Sequence, residues 1–248
     1  MKLDYNHVEK VLIEWLKGKV KDANADGVVL GLSGGIDSAV SSVLAKKAFP
    51  NNTLALVLPC YSSDQDKIDA VKVAEKFNID YEVKDLNNLF DSFKELVAAE
   101  KEESQKNLVL ANVKPRLRMV TLYYYAAQNN YLVLGTDNWS ELKVGYFTKY
   151  GDGGIDLTIL GRLVKSEVRE LAKHLGVPQN IIDKKPSAGL WEDQTDEDEM
   201  GLTYEQLDRY ILTGNADKEV KEKVDKLAEK NSHKLEPIPV PPREILLS

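Results

Sequence analysis

The 248-residue sequence has one cysteine, Cys60, and three histidines. A single cysteine excludes an internal disulfide and any paired-cysteine motif, and it is typical of a reducing compartment. The chain has no apolar run long enough to cross a bilayer, and its N-terminus has no signal-peptide core. These absences predict a cytoplasmic protein with no membrane partner.

Basic residues are also in the minority. The chain has 33 Lys and Arg residues against 40 Asp and Glu residues, a formal net charge of −7. Nucleic-acid binding usually needs a basic face, so we expect no nucleic-acid partner. With 43% hydrophobic and 29% charged residues, the composition is that of an ordinary globular protein with enough chain for a sizeable core.

One stretch organises the rest of the chain: VVLGLSGGIDSAV, from Val28 to Val40. Its first five residues predict a buried parallel strand, and the serine and glycines that follow predict a sharp loop before a helix that begins near Asp37. Exposed loop amides and the positive end of a helix dipole together favour an anion. The sequence therefore predicts a phosphate-binding loop.

The loop is not a Walker A motif, because no Gly-Lys-Ser/Thr follows the glycines at the required spacing. It has Asp37 instead, and a carboxylate beside a polyphosphate is repelled unless a divalent cation lies between them. We therefore interpret Asp37 as a Mg²⁺ ligand. The alternative is a glycine-rich turn in which Asp37 and Ser38 only cap the helix.

Apolar runs at 53–59, 81–84 and 131–135 predict further strands, and helical periodicity lies between them. The alternation predicts an α/β fold with an open parallel sheet and helices on both faces. Helices are also predicted before the first strand, across 87–129 with Pro115 at a first turn or kink, and at 203–212 and 218–230. The Pro-rich tail is predicted to be non-helical.

Two helices are predicted to bury particular residues. The first helix should bury Val8, Leu12, Trp15 and Leu16, and the helix after the second strand should bury Ile68, Val71, Ala74 and Phe77.

The stretch YLVLGTDNWSE, from Tyr131 to Glu141, repeats the strand, loop and helix of the first site. Ligands of open α/β sheets collect at the carboxyl ends of strands. Thr136 is therefore placed to contact an adenosine, and Glu141 to reach the metal bound by Asp37. The alternative is that Asp137 or Asn138 is a helix cap and Glu141 its capping-box partner.

Several other residues have two interpretations. Arg116 and Arg118 are two apart on a predicted helix, so they face different ways and one of them is structural. Lys165 opens a helix, where the dipole disfavours a cation; this indicates a phosphate partner unless the lysine is simply exposed. The glycine-rich stretch 149–160 needs a ligand or tight turns to be ordered. The acidic stretch 184–201 is either a solvated loop or a lid that orders on binding.

The loop sequence SGGIDS resembles the pyrophosphate-binding loop of the ATP pyrophosphatase (N-type) superfamily, whose members adenylate an oxygen and release pyrophosphate. The whole chain resembles one branch, the ammonia-dependent NAD synthetase family. The stretches that match, in the family's order, are GLSGGIDS, NVKPRLRM, LVLGTDNWSE, GYFTKYGDGGIDL, GRLVK, KKPSAGLW, QTDEDEMG, TYEQLD and HK.

The resemblance implies roles for individual residues. It implies that ATP is bound by Gly31, Leu32, Ser33, Gly34, Gly35, Ile36, Asp37, Ser38, Thr136, Lys165 and Ser187. It implies that deamido-NAD is bound by Arg116, Lys149, Asp156, His233 and Lys234. Asp37 and Glu141 would bind Mg²⁺ and, with Lys165, form the catalytic group. Ser187 stands where threonine is common, which retains the hydroxyl. The Pro-rich tail leaves the placement of His233 and Lys234 open.

The resemblance also implies an activity: amidation of deamido-NAD with ammonia, with ATP as co-substrate, by a homodimer. A single domain over residues 1–248 with no glutaminase domain is expected, because little chain precedes the first strand. Three alternatives remain: another adenylating ATP pyrophosphatase such as a tRNA-modifying enzyme, a non-catalytic nucleotide sensor, and a glutamine-fed subunit of a larger complex.

Overall fold

Five parallel strands form one sheet in the part of the chain that the structure, a computed structural model, describes: residues 3–97, 108–187, 189 and 195–246. The strands lie in the order β3-β2-β1-β4-β5. Their bounds are β1 (Gly27–Gly31), β2 (Thr53–Val57), β3 (Asp80–Val83), β4 (Tyr131–Gly135) and β5 (Leu157–Thr158). The predicted open parallel sheet is confirmed.

The central strand β1 is buried because it has a strand on each side and helices above and below. Val28 pairs with Thr53 of β2 on one side and with Leu132 of β4 on the other. Strands covered on both faces are apolar throughout, as the run VVL of β1 is. This register brings the carboxyl ends of β1 and β4 side by side.

Helices connect and cover the strands in the described ranges. Their bounds are α1 (Tyr5–Asp22), α2 (Ile36–Ala48), α3 (Asp64–Lys76), α4 (Asn87–Leu96), α5 (Leu108–Ala111), α6 (Val113–Asn129), α7 (Trp139–Val144), α8 (Lys165–Leu175), α9 (Gln179–Ile182), α10 (Asp196–Met200), α11 (Tyr204–Thr213) and α12 (Lys218–Asn231). Pro115 is the third residue of α6, in its first turn, as predicted.

The helices form two layers and an appendage. One face of the sheet packs against α1, α2, α3 and α8 in the largest apolar cluster, and the other face packs against α4 and α6. A third apolar cluster joins α7, α10, α11 and α12. Helices on both faces of the sheet are therefore confirmed. None of the helices in the described ranges has the length and apolar character that crossing a membrane requires.

The predicted inner face of α3 is partly wrong. Ile68 is 45% exposed, whereas Ala70 and Val73 are fully buried and Asp69 is 2% exposed. The helix turns a polar residue inward because Asp69 finds partners in Lys184, Gln65 and Asn180. On α1, Leu16 is buried as predicted, but Trp15 is 38% exposed.

Three other segments differ from or refine the predictions. The short strand β5 was not predicted, and the glycine-rich stretch before it is held by tight turns, including a 2.9 Å bond from the Gly151 N–H to the Thr148 carbonyl. The start of the tail is not purely extended, because Ser232–Lys234 forms a 3₁₀ turn. The lid interpretation of the acidic stretch rests on residues 188 and 190–194, which lie outside the described residues.

The burial pattern of α3 predicts unequal effects of two substitutions. Val73→Ala removes two fully buried methyl groups and should lower the free energy of unfolding by about 2 kcal/mol. Ile68→Ala, on the exposed side of the same helix, should change it by less than about 0.5 kcal/mol. Urea unfolding followed by circular dichroism measures both, and equal losses would contradict the observed orientation of α3.

Candidate active site

The loop between β1 and α2 is held from within by its own hydroxyls. The Ser33 N–H donates to Ser38 Oγ at 3.2 Å, and Ser38 Oγ donates to the Gly35 carbonyl at 2.9 Å. Gly34 has φ +81°, a conformation that favours glycine. The loop ends at Gly35, and α2 begins at Ile36 with no side chain capping it. Its first amides are therefore available to an anion.

Two carboxylates from neighbouring strand ends meet at one lysine. Lys165, at the start of α8, places Nζ 2.5 Å from Asp37 Oδ2 and 3.1 Å from Glu141 Oε1. The Lys165 side chain is 3% exposed. Burial alone would lower the pKa of Lys165, but the adjacent charges of Asp37 and Glu141 outweigh it and raise that pKa. Lys165 is therefore a buried, charged residue and not the exposed lysine of the alternative interpretation.

Glu141 is the capping-box partner of Asn138, one of the two roles that the sequence left open, and it also lies close to Asp37. One oxygen, Oε2, accepts from the Asn138 N–H at 3.1 Å, and Asn138 Oδ1 accepts from the Glu141 N–H in return, which completes a capping box. The other oxygen, Oε1, contacts Lys165. Asn138 also donates from Nδ2 to Asp37 Oδ1 at 2.9 Å. The cap is thus the device that aligns Glu141 with Asp37.

These groups lie on a cavity of about 600 Å³ at the carboxyl ends of the strands. Ten of the residues predicted to contact ATP line it: Gly31, Leu32, Ser33, Gly35, Ile36, Asp37, Ser38, Thr136, Lys165 and Ser187. Gly34 does not line it. A Cβ on Gly34 would lie 2.3 Å from the Asp66 carbonyl oxygen, so this residue packs against α3 instead.

Negative charge is in surplus around Lys165. Asp137 and Asp196 also line the cavity, and one carboxylate oxygen of each has no hydrogen-bond partner among the described residues. Burial, followed by the charges of Asp152 and Glu141, raises the pKa of Asp137, and burial also raises the pKa of Asp196. Burial raises the pKa of Glu141 to about 7, and the charge of Asp37 adds to this effect. The unpaired oxygens of Asp137 and Asp196 are thus the part of the cavity wall that could accept a hydrogen bond or a cation.

The donor set fits Mg²⁺ when a ligand completes it. Asp37 and Glu141 each offer a carboxylate oxygen within reach of the same Nζ atom. In the described part of the chain, no three His, Cys, Asp or Glu side chains are arranged to enclose a metal on their own. Mg²⁺ is usually held by one or two carboxylates together with phosphate and water oxygens, so two acids are the expected contribution of a protein to such a site.

The residues predicted to bind the dinucleotide lie mostly outside the cavity. Arg116 is exposed and donates to the Lys149 carbonyl at 3.3 Å, and Lys149 Nζ lies 2.5 Å from the His233 carbonyl oxygen. Lys234 lines the cavity and donates to the carbonyls of Gly145 and Phe147. Arg116, Lys149 and His233 are therefore connected by hydrogen bonds, and Lys234 follows His233 in the chain, so these four residues form one connected group.

Asp156 stands apart from that group. Its Oδ2 accepts from the Val133 N–H at 2.8 Å, and its Oδ1 accepts from the Tyr123 hydroxyl at 3.0 Å. Burial and the charge of Asp156 raise the pKa of Tyr123 to about 12, so this hydroxyl stays a donor. In the described structure Asp156 fixes the carboxyl half of β4 to α6.

Sequence reasoning missed several residues that the cavity brings together. Arg118 lines the cavity, with Nε bound to the Leu58 carbonyl at 3.0 Å and a terminal nitrogen bound to Ser62 Oγ at 3.2 Å. Of the two arginines, Arg118 is the one with structural hydrogen bonds, to Leu58 and Ser62, and it also lines the cavity. The Tyr204 hydroxyl contacts both Glu141 Oε1 and Asp196 Oδ2. No local motif distinguishes Tyr204 from an ordinary core tyrosine.

Comparisons with known proteins agree with this geometry. The sequence profile of the NAD synthase family matches residues 8–238. The NH(3)-dependent NAD(+) synthetase of Syntrophomonas wolfei is 51% identical over 239 residues, which is 94% of this chain and 94% of that protein.

Two solved structures are also similar. The NMN synthetase of Francisella tularensis has a TM-score of 0.90 at 39% identity, over 97% of this chain and 99% of that one. The NH3-dependent NAD synthetase of Campylobacter jejuni, solved with a nitrate ion, has a TM-score of 0.79 at 32% identity, over 97% of this chain and all of that one. The family profile matches residues 8–238, and a curated member of the family is 51% identical over 94% of this chain. The chain therefore belongs to the NAD synthase family.

Proposed function

We propose that the chain is an ammonia-dependent ligase that amidates the nicotinate carboxylate of deamido-NAD, with ATP as co-substrate and AMP and pyrophosphate as products. The observation that carries the proposal is the meeting of Asp37, Glu141 and Lys165 at the tips of β1 and β4, beside the uncapped first turn of α2. Family membership supports the same reaction.

A carboxylate does not react directly with ammonia at neutral pH, because its oxygen is a poor leaving group. In the first step, a nicotinate carboxylate oxygen attacks the α-phosphorus of ATP, and the bond from that phosphorus to the bridging oxygen of pyrophosphate breaks. In the second, the ammonia nitrogen attacks the acyl carbon of the adenylate, loses a proton, and AMP leaves. The attacking groups are already nucleophiles, so the protein supplies alignment and charge.

Each site residue has a part in that alignment. The amides of the 31–38 loop hold the departing pyrophosphate, and the Lys165 ammonium offsets negative charge on the phosphates. Asp37 and Glu141 would hold a Mg²⁺ ion, which supplies charge neutralisation between the carboxylates and ATP. Thr136 and Ser187 offer hydroxyls to ATP from the cavity wall. Asp137 and Asp196 each offer an unpaired carboxylate oxygen to the ammonium ion.

Deamido-NAD binds, in this proposal, along the connected group of Arg116, Lys149, His233 and Lys234, of which Lys234 lines the cavity, and at Asp156. A mononucleotide is the second candidate substrate. Similarity to the Francisella tularensis NMN synthetase, with its TM-score of 0.90, favours nicotinate mononucleotide. Both substrates present the same reacting half, so only the contacts to the distal adenylate differ.

The proposal is tested by supplying the purified chain with ATP, Mg²⁺ and a nitrogen source. We expect NAD, AMP and pyrophosphate in equal amounts from deamido-NAD with ammonium, and no comparable rate with glutamine. Nicotinate mononucleotide is run in parallel, and the larger kcat/KM identifies the substrate.

Asp37→Ala should lower NAD formation by at least about 10³-fold, because the acid opposite Glu141 is lost. Normal turnover by that variant at saturating Mg²⁺ would contradict the assignment of Asp37 as a Mg²⁺ ligand.

Arg116→Ala should separate the two substrate sites. Because Arg116 lies outside the cavity that the ATP residues line, its loss should raise the KM for deamido-NAD about tenfold and leave the KM for ATP within about twofold. Arg162→Ala, which removes another arginine outside the cavity lining, is the matched control and should change neither KM. Equal effects of Arg116→Ala on both substrates would count against the assignment.

We also propose that two copies associate through α6. Val120 and Tyr124 lie one helical turn apart on this helix and are 61% and 65% exposed. Large apolar side chains grouped on a surface are typical of protein interfaces. Tyr124→Glu should convert a dimer to a monomer in sedimentation equilibrium, because it puts a charge into the buried contact. Val11→Glu, at a 48% exposed position on α1, should leave the dimer intact; dissociation by both variants, or by neither, would refute the α6 interface.

A further inference from the structure

One lysine outside the catalytic group connects the phosphate loop to two other parts of the fold. Lys184 Nζ lies 2.5 Å from Asp66 Oδ1, 2.9 Å from Asp69 Oδ2 and 3.4 Å from the Gly34 carbonyl oxygen. The two acids are on α3, and Gly34 is in the loop between β1 and α2. A single ammonium group therefore bridges α3, the phosphate loop and the chain segment that leads to Ser187.

The contact with Asp69 is not an ordinary surface ion pair. The Asp69 side chain is 3% exposed, and its other oxygen accepts from Gln65 Nε2 at 2.8 Å and Asn180 Nδ2 at 3.1 Å. A carboxylate that is buried and fully hydrogen-bonded is held in one place, and it requires an opposite charge beside it. Lys184 is therefore fixed in position by α3 before it reaches the loop.

The atom that Lys184 reaches belongs to the most easily rotated peptide of the loop. The peptide between Gly34 and Gly35 has no side chain on either side, so its orientation is not set by local sterics. In a trans peptide the C=O and the N–H point in opposite directions. With the Gly34 carbonyl toward Lys184, the Gly35 N–H points to Ser33 Oγ at 3.3 Å, and both Ser33 and Gly35 line the cavity.

We propose that Lys184 is a positioning residue for ATP: it holds the Gly34 carbonyl away from the cavity, so that the Gly35 N–H, which donates to Ser33 Oγ, can turn to a phosphate oxygen when ATP binds. The proposal rests on the proposed function, in which this loop binds the phosphates. The reverse orientation of the peptide presents a carbonyl oxygen to a polyphosphate, which repels it. Packing of Gly34 against the Asp66 backbone limits the loop on the same side.

The test is the affinity for ATP of Lys184→Met, which keeps the aliphatic stem and removes the charge. We expect the Kd for Mg·ATP, measured by titration calorimetry without dinucleotide, to rise about tenfold, the effect of losing one charge-oriented hydrogen bond. The KM for ATP should rise by a similar factor, and the KM for deamido-NAD should stay within twofold. Lys184→Arg, which retains the charge, should restore ATP affinity to within about threefold of the wild type.

Lys173→Met is the matched control. Lys173 forms an exposed ion pair with Glu170 on the same helix, α8, and not with the loop. It should bind ATP like the wild type. If Lys184→Met does not fold, Lys184→Met combined with Asp69→Asn removes the unpaired buried carboxylate and is measured in its place.

The outcomes separate the two proposals. A folded Lys184 variant that binds Mg·ATP within twofold of the wild type would overturn the positioning role and leave the ligase activity untouched. A rise in KM for both substrates by the same factor would also overturn it, because a general loss of structure gives that result. A wild-type protein that binds no ATP and forms no NAD would refute the proposed function itself.

Discussion

The ion pair group of Lys165, Asp37 and Glu141 is the constraint on which the site depends. Two carboxylates from adjacent strand ends repel each other in a partly dry cavity, and the Lys165 ammonium makes their approach favourable. Because Asp37 lies in the first turn of α2, Glu141 lies in α7 and Lys165 opens α8, the three charges also fix the relative positions of three helices. Removing the lysine leaves two uncompensated carboxylates, which costs about 3–5 kcal/mol in comparable buried pairs.

Structural and functional roles are combined in the same side chains here. Glu141 closes the capping box of α7 with one oxygen and contacts Lys165 with the other. Asn138 caps that helix and also holds Asp37. A helix cap is rigid because its hydrogen bonds lie within one turn of backbone, so the carboxylate of a cap residue such as Glu141 is pre-oriented. Of the two interpretations that the sequence left open for Glu141, the capping box is confirmed, and binding of a metal together with Asp37 stays a prediction.

The helical appendage is coupled to the same group. Tyr204 of α11 is 1% exposed, its hydroxyl contacts Glu141 and Asp196, and Lys165 Nζ lies 4.9 Å from the centre of its ring. Asp196 opens α10, which lies within the acidic stretch 184–201. The acids around Lys165 therefore come from three parts of the chain: Asp37 from the first turn of α2, Glu141 from α7 and Asp196 from α10.

The sequence by itself determined the parallel sheet, the position of the glycine loop after β1 and the placement of Asp37 and Glu141 after neighbouring strands, because strand runs, glycines and acids at strand ends are local signals. It did not determine the inner face of α3, the roles of Tyr204 and Asp196, or the contact of Lys184 with Gly34. Those depend on residues up to 150 positions apart in the chain. Burial of Asp69 illustrates the reason. Asp69 can face inward because folding places Lys184 beside it, and the sequence of α3 does not indicate where that lysine lies.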